Sequence, residues 1–266
     1  MPLRINRDSA SVGLQRSLKV NNRALADRIS KLSSGLRIRQ ASDDAAGLTI
    51  SEGLRANVSG VSQAIRNSEM AINQTQVADG TLDQTNAILG RLRELSVQAS
   101  SAGLTDANRS SIQAEFAQLT AEVDRLAQTS PSGQESFQIG PNPGDGNQVE
   151  INISALQASG PELNLSSQSV VSQSGAQQTL SAVDNAIAQV SVQRSDIGAL
   201  QNRLGFSIRA NEQALENLQA SESIIRDADV ALEASRLASD RIRTQASISV
   251  LAQQNVNRQQ ALNLLA

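Results

Sequence analysis

A chain of 266 residues with 39% apolar side chains has material for one large domain or two smaller ones and is too apolar to be disordered throughout. Three Phe with no Trp or Tyr leave the packing to Ala, Leu, Ile and Val, which suits close helix-on-helix contact. The absence of His and Cys excludes zinc sites, disulfides and Ser-His-Asp or Cys-His catalysis, and a net charge of -3 without stacking aromatics gives no basis for nucleic-acid binding.

All basic residues other than Lys19 and Lys31 are Arg, the side chain of bidentate carboxylate pairing at interfaces. The opening "MPLRINRDSASVGLQRS" lacks the apolar centre of a secretory signal, and no run approaches the roughly 18 apolar residues of a membrane span. Neither Sec-type export nor membrane insertion is expected, and no cofactor is implied.

Residues 14–36 place Leu14, Leu18, Leu25, Ile29, Leu32 and Leu36 at three-and-four spacing, the narrow stripe of an amphipathic helix. Ser33-Ser34-Gly35 then loosens the pattern. In "KLSSGLRIRQASDDAAGL" a cap signal follows: Ser42 reads as an N-cap, with Asp43 and Asp44 in the first turn where the helix dipole favours acids. Arg37 and Arg39 lie close enough to pair with carboxylates. The second helix runs from there to about residue 100, with Val58, Val61, Ile65, Ile72, Leu82, Leu89, Leu92, Leu95 and Ala99 on one side. At 1.5 Å per residue it would be about 80 Å long, too long for a compact domain. Gly103 reads as its C-cap, and Thr105 or Asp106 as the next N-cap.

The third helix has the strictest period, in Ile112, Phe116, Leu119, Val123 and Leu126. From Pro131 to Ser174 the prolines and glycines, with alternation in Phe137/Ile139 and Val149/Ile151/Ile153, predict a β-hairpin followed by a Ser/Gln-rich loop. "SGAQ" at 174–177 reads as a capping box opening a fourth long helix, with Leu180, Val183, Ile187, Val190, Ile197, Leu200, Leu204, Ile208, Leu215, Leu218 and Ile225 in a heptad-like series. "RDADV" at 226–230 interrupts it, and a last helix carries Ile242, Ile248, Leu251, Leu262 and Leu265.

The predicted fold is mainly α: an elongated antiparallel helical rod or coiled coil with a small β-hairpin region mid-chain. Folding the chain at the hairpin brings the ends together. Each terminal helix then keeps an apolar stripe that one partner only partly buries, and each such side chain is worth roughly 1.5–3 kcal/mol when fully buried. Burial against neighbouring copies would drive assembly, and contacts that do not close give helical filaments.

Six motifs in order carry a resemblance: "LSSGLRIRQASDDAAGLTISEGLRANVSGVSQAIRN" from 32, "LRELSVQA" from 92, "SIQAEFAQLTAEVDRL" from 111, "IGALQNRL" from 197, "DAD" at 227 and the closing "SVLAQQNVNRQQALNLL". In these the chain resembles the bacterial flagellins. The resemblance implies a non-enzymatic subunit in which 1–33 and 231–266 form an inner terminal coiled-coil layer. It makes 34–45 and 226–230 spoke connections, with Arg37, Arg39, Asp43 and Asp44 as spoke residues, and 46–130 and 175–225 an outer helical rod. Leu14, Leu18, Leu25, Ile29, Leu32, Leu36, Ile242, Ile248, Leu251, Leu262 and Leu265 become the polymerisation stripe of a helical homopolymer. Expected partners are other copies of the chain, an export chaperone, and hook-junction and filament-cap proteins, with type III export to an extracellular flagellum. Residues 131–174 stand where many members have a Phe-Asn-Gly segment, a Leu-Leu pair and variable outer domains.

"LRELSVQA" also resembles the surface that Toll-like immune receptors recognise, which points to Arg91, Leu95, Gln98 and Glu115. The plainer reading of those residues is packing. Asp145 and Asn147 lack the further oxygen donors of a calcium loop and read as a turn. Asp227 and Asp229 read as capping and ion-pairing groups, with Arg226 as a candidate partner, rather than a catalytic acid pair. Residues 165–174 are either a solvated loop or a carrier of O-linked sugars. The alternatives to a filament subunit are a hook-filament junction protein and a chemoreceptor-like signalling rod; the latter requires uninterrupted heptads, whereas this pattern breaks near 33–45 and 226–230.

Overall fold

The structure is a computed structural model that describes residues 9–154 and 156–263. The described elements are α1 (Ser9–Ser34), α2 (Ala45–Ala99), α3 (Asp106–Thr129), β1 (Gly133–Gln138), β2 (Gln148–Ile153), α4 (Gln173–Arg226) and α5 (Val230–Asn263). This is the mainly helical chain with a central hairpin that the sequence predicts. Two compact units divide it: one holds the chain up to Ala56 and from Asn217 onward, the other Asn57–Glu216.

In the middle unit α2 and α4 share a core seam at three-and-four spacing. On α4 the seam is Ala176, Thr179, Val183, Ala186, Val190, Ile197 and Leu204. Arg93–Asp184 at 2.7 Å and Arg194–Asp79 at 2.9 Å fix the two helices as antiparallel. The α2 side departs from the predicted stripe. Between 61 and 78 the buried positions are Val61, Ala64, Ser68, Ala71, Thr75 and Ala78, while Val58, Ile65 and Ile72 are only partly buried. Small residues let backbones approach closely, and hydropathy alone ranks them below the branched residues beside them. Helix α3 packs Ile112, Phe116 and Val123 into the same core.

β1 and β2 pair antiparallel from Gly133↔Ile153 to Gln138↔Gln148. Val149, Ile151 and Ile153 are buried and alternate with exposed neighbours, the period-2 pattern of a half-buried strand. The Asn67 and Asn211 side-chain amides donate to the carbonyls of Gln138 and Ile139 and pin the hairpin to α2 and α4. The following segment is not a merely solvated Ser/Gln-rich loop: Leu156, Ala158, Leu163, Leu165 and Val170 are buried in the core. Isolated apolar residues among Ser and Gln show no period, so no element pattern announced them.

Three helix ends sharpen or correct the sequence reading. Thr105 caps α3 by accepting from the Asn108 amide. The cap of α4 is Ser172, not Ser174: its Oγ accepts from the Gly175 amide and its carbonyl from the Ala176 amide. Gly103 is not in the left-handed conformation of a glycine C-cap. Instead the buried Arg109 guanidinium donates to the carbonyls of Ala99 (3.1 Å), Ser101 (2.8 Å) and Leu104 (2.9 Å), closing the end of α2.

In the terminal unit α1 packs along α5. Asn21–Ser247 at 3.3 Å and Arg28–Glu233 at 2.9 Å set an antiparallel register. Among the described residues of this unit only one hydrophobic side chain, Ile38, is buried. Every other buried hydrophobic residue belongs to the middle unit. No helix among the described residues is long and apolar enough to cross a membrane.

Candidate functional site

The joint of the terminal unit is built from 35–44 and 225–229. Helix α1 ends at Ser34 because Gly35 turns left-handed (φ 70°), a conformation that costs glycine least. Leu36 then forms an antiparallel bridge with Asp227, flanked by Arg37 N–H to Arg226 O at 2.7 Å and Ala228 N–H to Gly35 O at 2.9 Å. The Arg37 guanidinium donates to the Ile225 carbonyl, not to a carboxylate. Arg39 does meet one: it donates to Asp27 at 3.0 Å and also to the Ser30 hydroxyl.

The two aspartates stand before the helix rather than inside it, because α2 starts at Ala45. Ser42 lies in a turn; the N-cap is Asp44, whose Oδ1 accepts from the Gly47 amide at 2.9 Å. Asp43 accepts from the Arg39 amide at 3.1 Å and the Gln40 amide at 3.2 Å, closing the turn. Those backbone bonds, the Arg39 amide foremost, hold the Asp43 carboxyl below its ordinary pKa, with Lys31 and Arg39 adding attraction. A Cβ at Gly47 would sit 2.7 Å from Ile38 Cδ1 and collide with the Asp44 carboxylate, so the capped turn requires glycine here.

On the other side Asp229 caps α5 by accepting from the Leu232 amide, and Asp227 accepts from the Ser223 hydroxyl at 2.6 Å. Arg226 turns away from both and pairs with Glu52 at 2.8 Å. Its hydrogen bond is the main reason the Glu52 carboxyl titrates below its ordinary range. The acids of "RDADV" are thus helix-end groups, each spent on a hydrogen bond.

The polymerisation-stripe residues fall into two sets. Leu14, Leu18, Leu25 and Leu32 on α1, with Leu251 on α5, are partly buried, and Leu36 is partly buried at the joint. Ile29 (46% exposed), Ile242 (69%) and Ile248 (46%) face outward, as do Val12, Val20, Val250 and Val256. Leu262 lies in α5, and Leu265 falls outside the described residues.

In the middle unit Arg91 donates to Glu115 at 2.8 Å and to Glu94 at 2.9 Å, and these bonds raise its pKa. Gln98 is exposed on the same helix. Leu95 is not part of that surface: at 1% exposure it is core between α2 and its neighbours, which removes it from the receptor-facing residues. Sequence reasoning missed Arg109, Gly47 and the Arg28–Glu233 pair. Arg109 and Arg28 sit among many exposed-looking arginines, and only Gly47, immediately after "SDDAA", carried a local signal.

Five helices, several with capped ends, and one small antiparallel hairpin define a mainly helical protein. Residues 5–138 match the family model of the bacterial flagellin N-terminal helical region, and 180–265 that of the C-terminal helical region. The chain belongs to the bacterial flagellin family. It is 37% identical over 271 residues to a flagellin of Halalkalibacterium halodurans, covering 98% of this chain and 99% of that one. It is also 37% identical over 283 residues to the flagellar filament 30.7 kDa core protein of Treponema maltophilum, covering 98% and 99%. A solved structure of a Vibrio parahaemolyticus protein assigned to the flagellar hook-associated class superposes with a TM-score of 0.57 at 14% identity, covering 69% of this chain and 99% of that chain. That likeness shows a shared fold alone.

Proposed function

We propose that the chain is the structural subunit of a bacterial flagellar filament and that its terminal helices drive polymerisation. The observation that carries the mechanism is the contrast in burial: the terminal unit buries only Ile38 among its described hydrophobic residues, while Ile29, Ile242 and Ile248 stay in water. A helix pair without its own core gains most from packing against further copies. Near-full-length similarity to flagellins and filament core proteins supports the filament reading over a junction protein or a signalling rod.

In this reading segments 1–33 and 231–266 supply the inner coiled-coil layer, 34–45 and 226–230 the connections, and 46–130 with 175–225 the outer helices around the 131–174 hairpin region. The subunit works outside the cell as part of the flagellum, with an export chaperone and hook-junction and cap proteins as partners. Arg91, Gln98 and Glu115 form the surface a Toll-like receptor would touch; absence of a reporter-cell response at saturating monomer removes that reading.

The test is reassembly. Filaments dissociated by heat or acid should regrow at neutral pH with added salt, seen by negative-stain microscopy. Chains lacking 1–30 or 240–266 should keep a helical middle unit by circular dichroism and not regrow. Regrowth of either truncation contradicts the proposal.

A further inference from the structure

Helix α5 meets α1 through the more polar of its faces. Its partly buried seam positions are Leu237, Asp240, Thr244, Ser247, Leu251 and Gln254, while Ile242, Ile248, Val250 and Val256 are left 46–69% exposed. Hydrophobic burial alone favours the opposite choice, with Ile242, Val250 and Val256, which lie within about 120° of one another around the helix, turned onto Leu14, Leu18 and Leu25. The seam is also incompletely satisfied: Arg28 Nε, Thr244 Oγ1 and Gln254 Oε1 are buried without a hydrogen-bond partner. Something specific therefore holds this face.

The specific contacts are few. Arg28 donates to both oxygens of Glu233, which is 6% exposed, and its Nε lies 3.8 Å from Asp240. Arg236 braces Glu233 from the same helix at 3.2 Å, and Arg243 lies 3.6 Å from Asp240. Two turns away Asn21 donates to Ser247. Buried ion pairs contribute little net stability, because desolvation offsets the attraction, yet a polar pair in a helix seam selects register.

We infer that Arg28, Glu233 and Asp240, with Asn21–Ser247, are the residues that select which face of α5 meets α1. They hold Ile242, Ile248, Val250 and Val256 outward, where the surface fits a second copy of this chain. The inference rests on the filament reading above and adds the specificity determinant to it.

The test uses the full chain, which has no native cysteine to interfere. Arg28→Leu, Glu233→Leu and Asp240→Leu together should leave helicity intact, since apolar replacement of such a cluster is often neutral or stabilising. The free-subunit concentration needed for filament growth should nevertheless rise at least about tenfold, because the face is no longer selected. Adding Asn21→Cys and Ser247→Cys and oxidising the pair restores the register covalently and should return that concentration to within about threefold of the unmodified chain; reduction should abolish the rescue. Unchanged assembly of the triple variant, loss of its helicity, or oxidised chain that assembles no better than reduced chain overturns the inference. Failure of the unmodified chain to form filaments contradicts the filament reading instead.

Discussion

Asp43 and Asp44 are neighbours with different tasks. Asp44 caps α2, and Asp44→Ala should cost about 1 kcal/mol of joint stability in denaturant titration. Asp43 holds the preceding turn through two backbone amides. Its carboxyl, like that of Glu52, has a lowered pKa in the folded chain. The sign follows: the unfolded state takes up protons first, so the stabilisation is complete at neutral pH and lost as pH falls through about 4 and below. Amide protection around 37–47, corrected for the intrinsic exchange rate at each pH, should therefore fall in acid before the middle unit opens; protection that is flat down to about pH 3 contradicts the assignment. Gly90 illustrates the opposite case. A Cβ there meets nothing, so Gly90→Ala should raise the thermal stability of the middle unit by about 0.5–1 kcal/mol.

At the scale of elements, strict periods were legible and irregular contacts were not. The stripes of α3 and α4 follow from 3.5-residue spacing, and Val149/Ile151/Ile153 announced β2. The core face of α2 between 64 and 78 was hidden because Ala, Ser and Thr carry no strong hydropathy. The end of α2 was hidden for another reason: its last carbonyl, Ala99, and the loop carbonyls of Ser101 and Leu104 are closed by Arg109 from the next helix, a contact that no local pattern encodes. Arg109→Ala should lower the stability of the middle unit by about 2 kcal/mol or more in urea unfolding, because three carbonyls lose a charged donor. An effect under 0.5 kcal/mol would rule out the capping role. In the joint, the sequence singled out Arg37, Arg39, Asp43 and Asp44, yet it placed the cap two positions early and gave Arg37 a carboxylate where it meets a carbonyl.

For the whole molecule, the division of buried hydrophobic side chains between the units matters most. The middle unit holds the connected core, and the terminal unit holds Ile38 alone among described residues. The amides of α1 and α5 in free subunits should therefore exchange at least about 100-fold faster than those of 82–99 in α2, since local opening is governed by local burial. Both chain ends were recognisable from their motifs, whereas the polar face by which α5 meets α1 was not, because an amphipathic pattern names an apolar stripe without saying what covers it. The most direct measurement of the central claim is filament growth by Ile242→Asn. Ile242 is 69% exposed, so the substitution should leave the circular dichroism of the free subunit unchanged. If the outward face drives assembly, the free-subunit concentration at which filaments persist rises roughly tenfold or more, as expected for one apolar side chain withdrawn from an interface. Filaments that grow at the unmodified concentration would contradict the account.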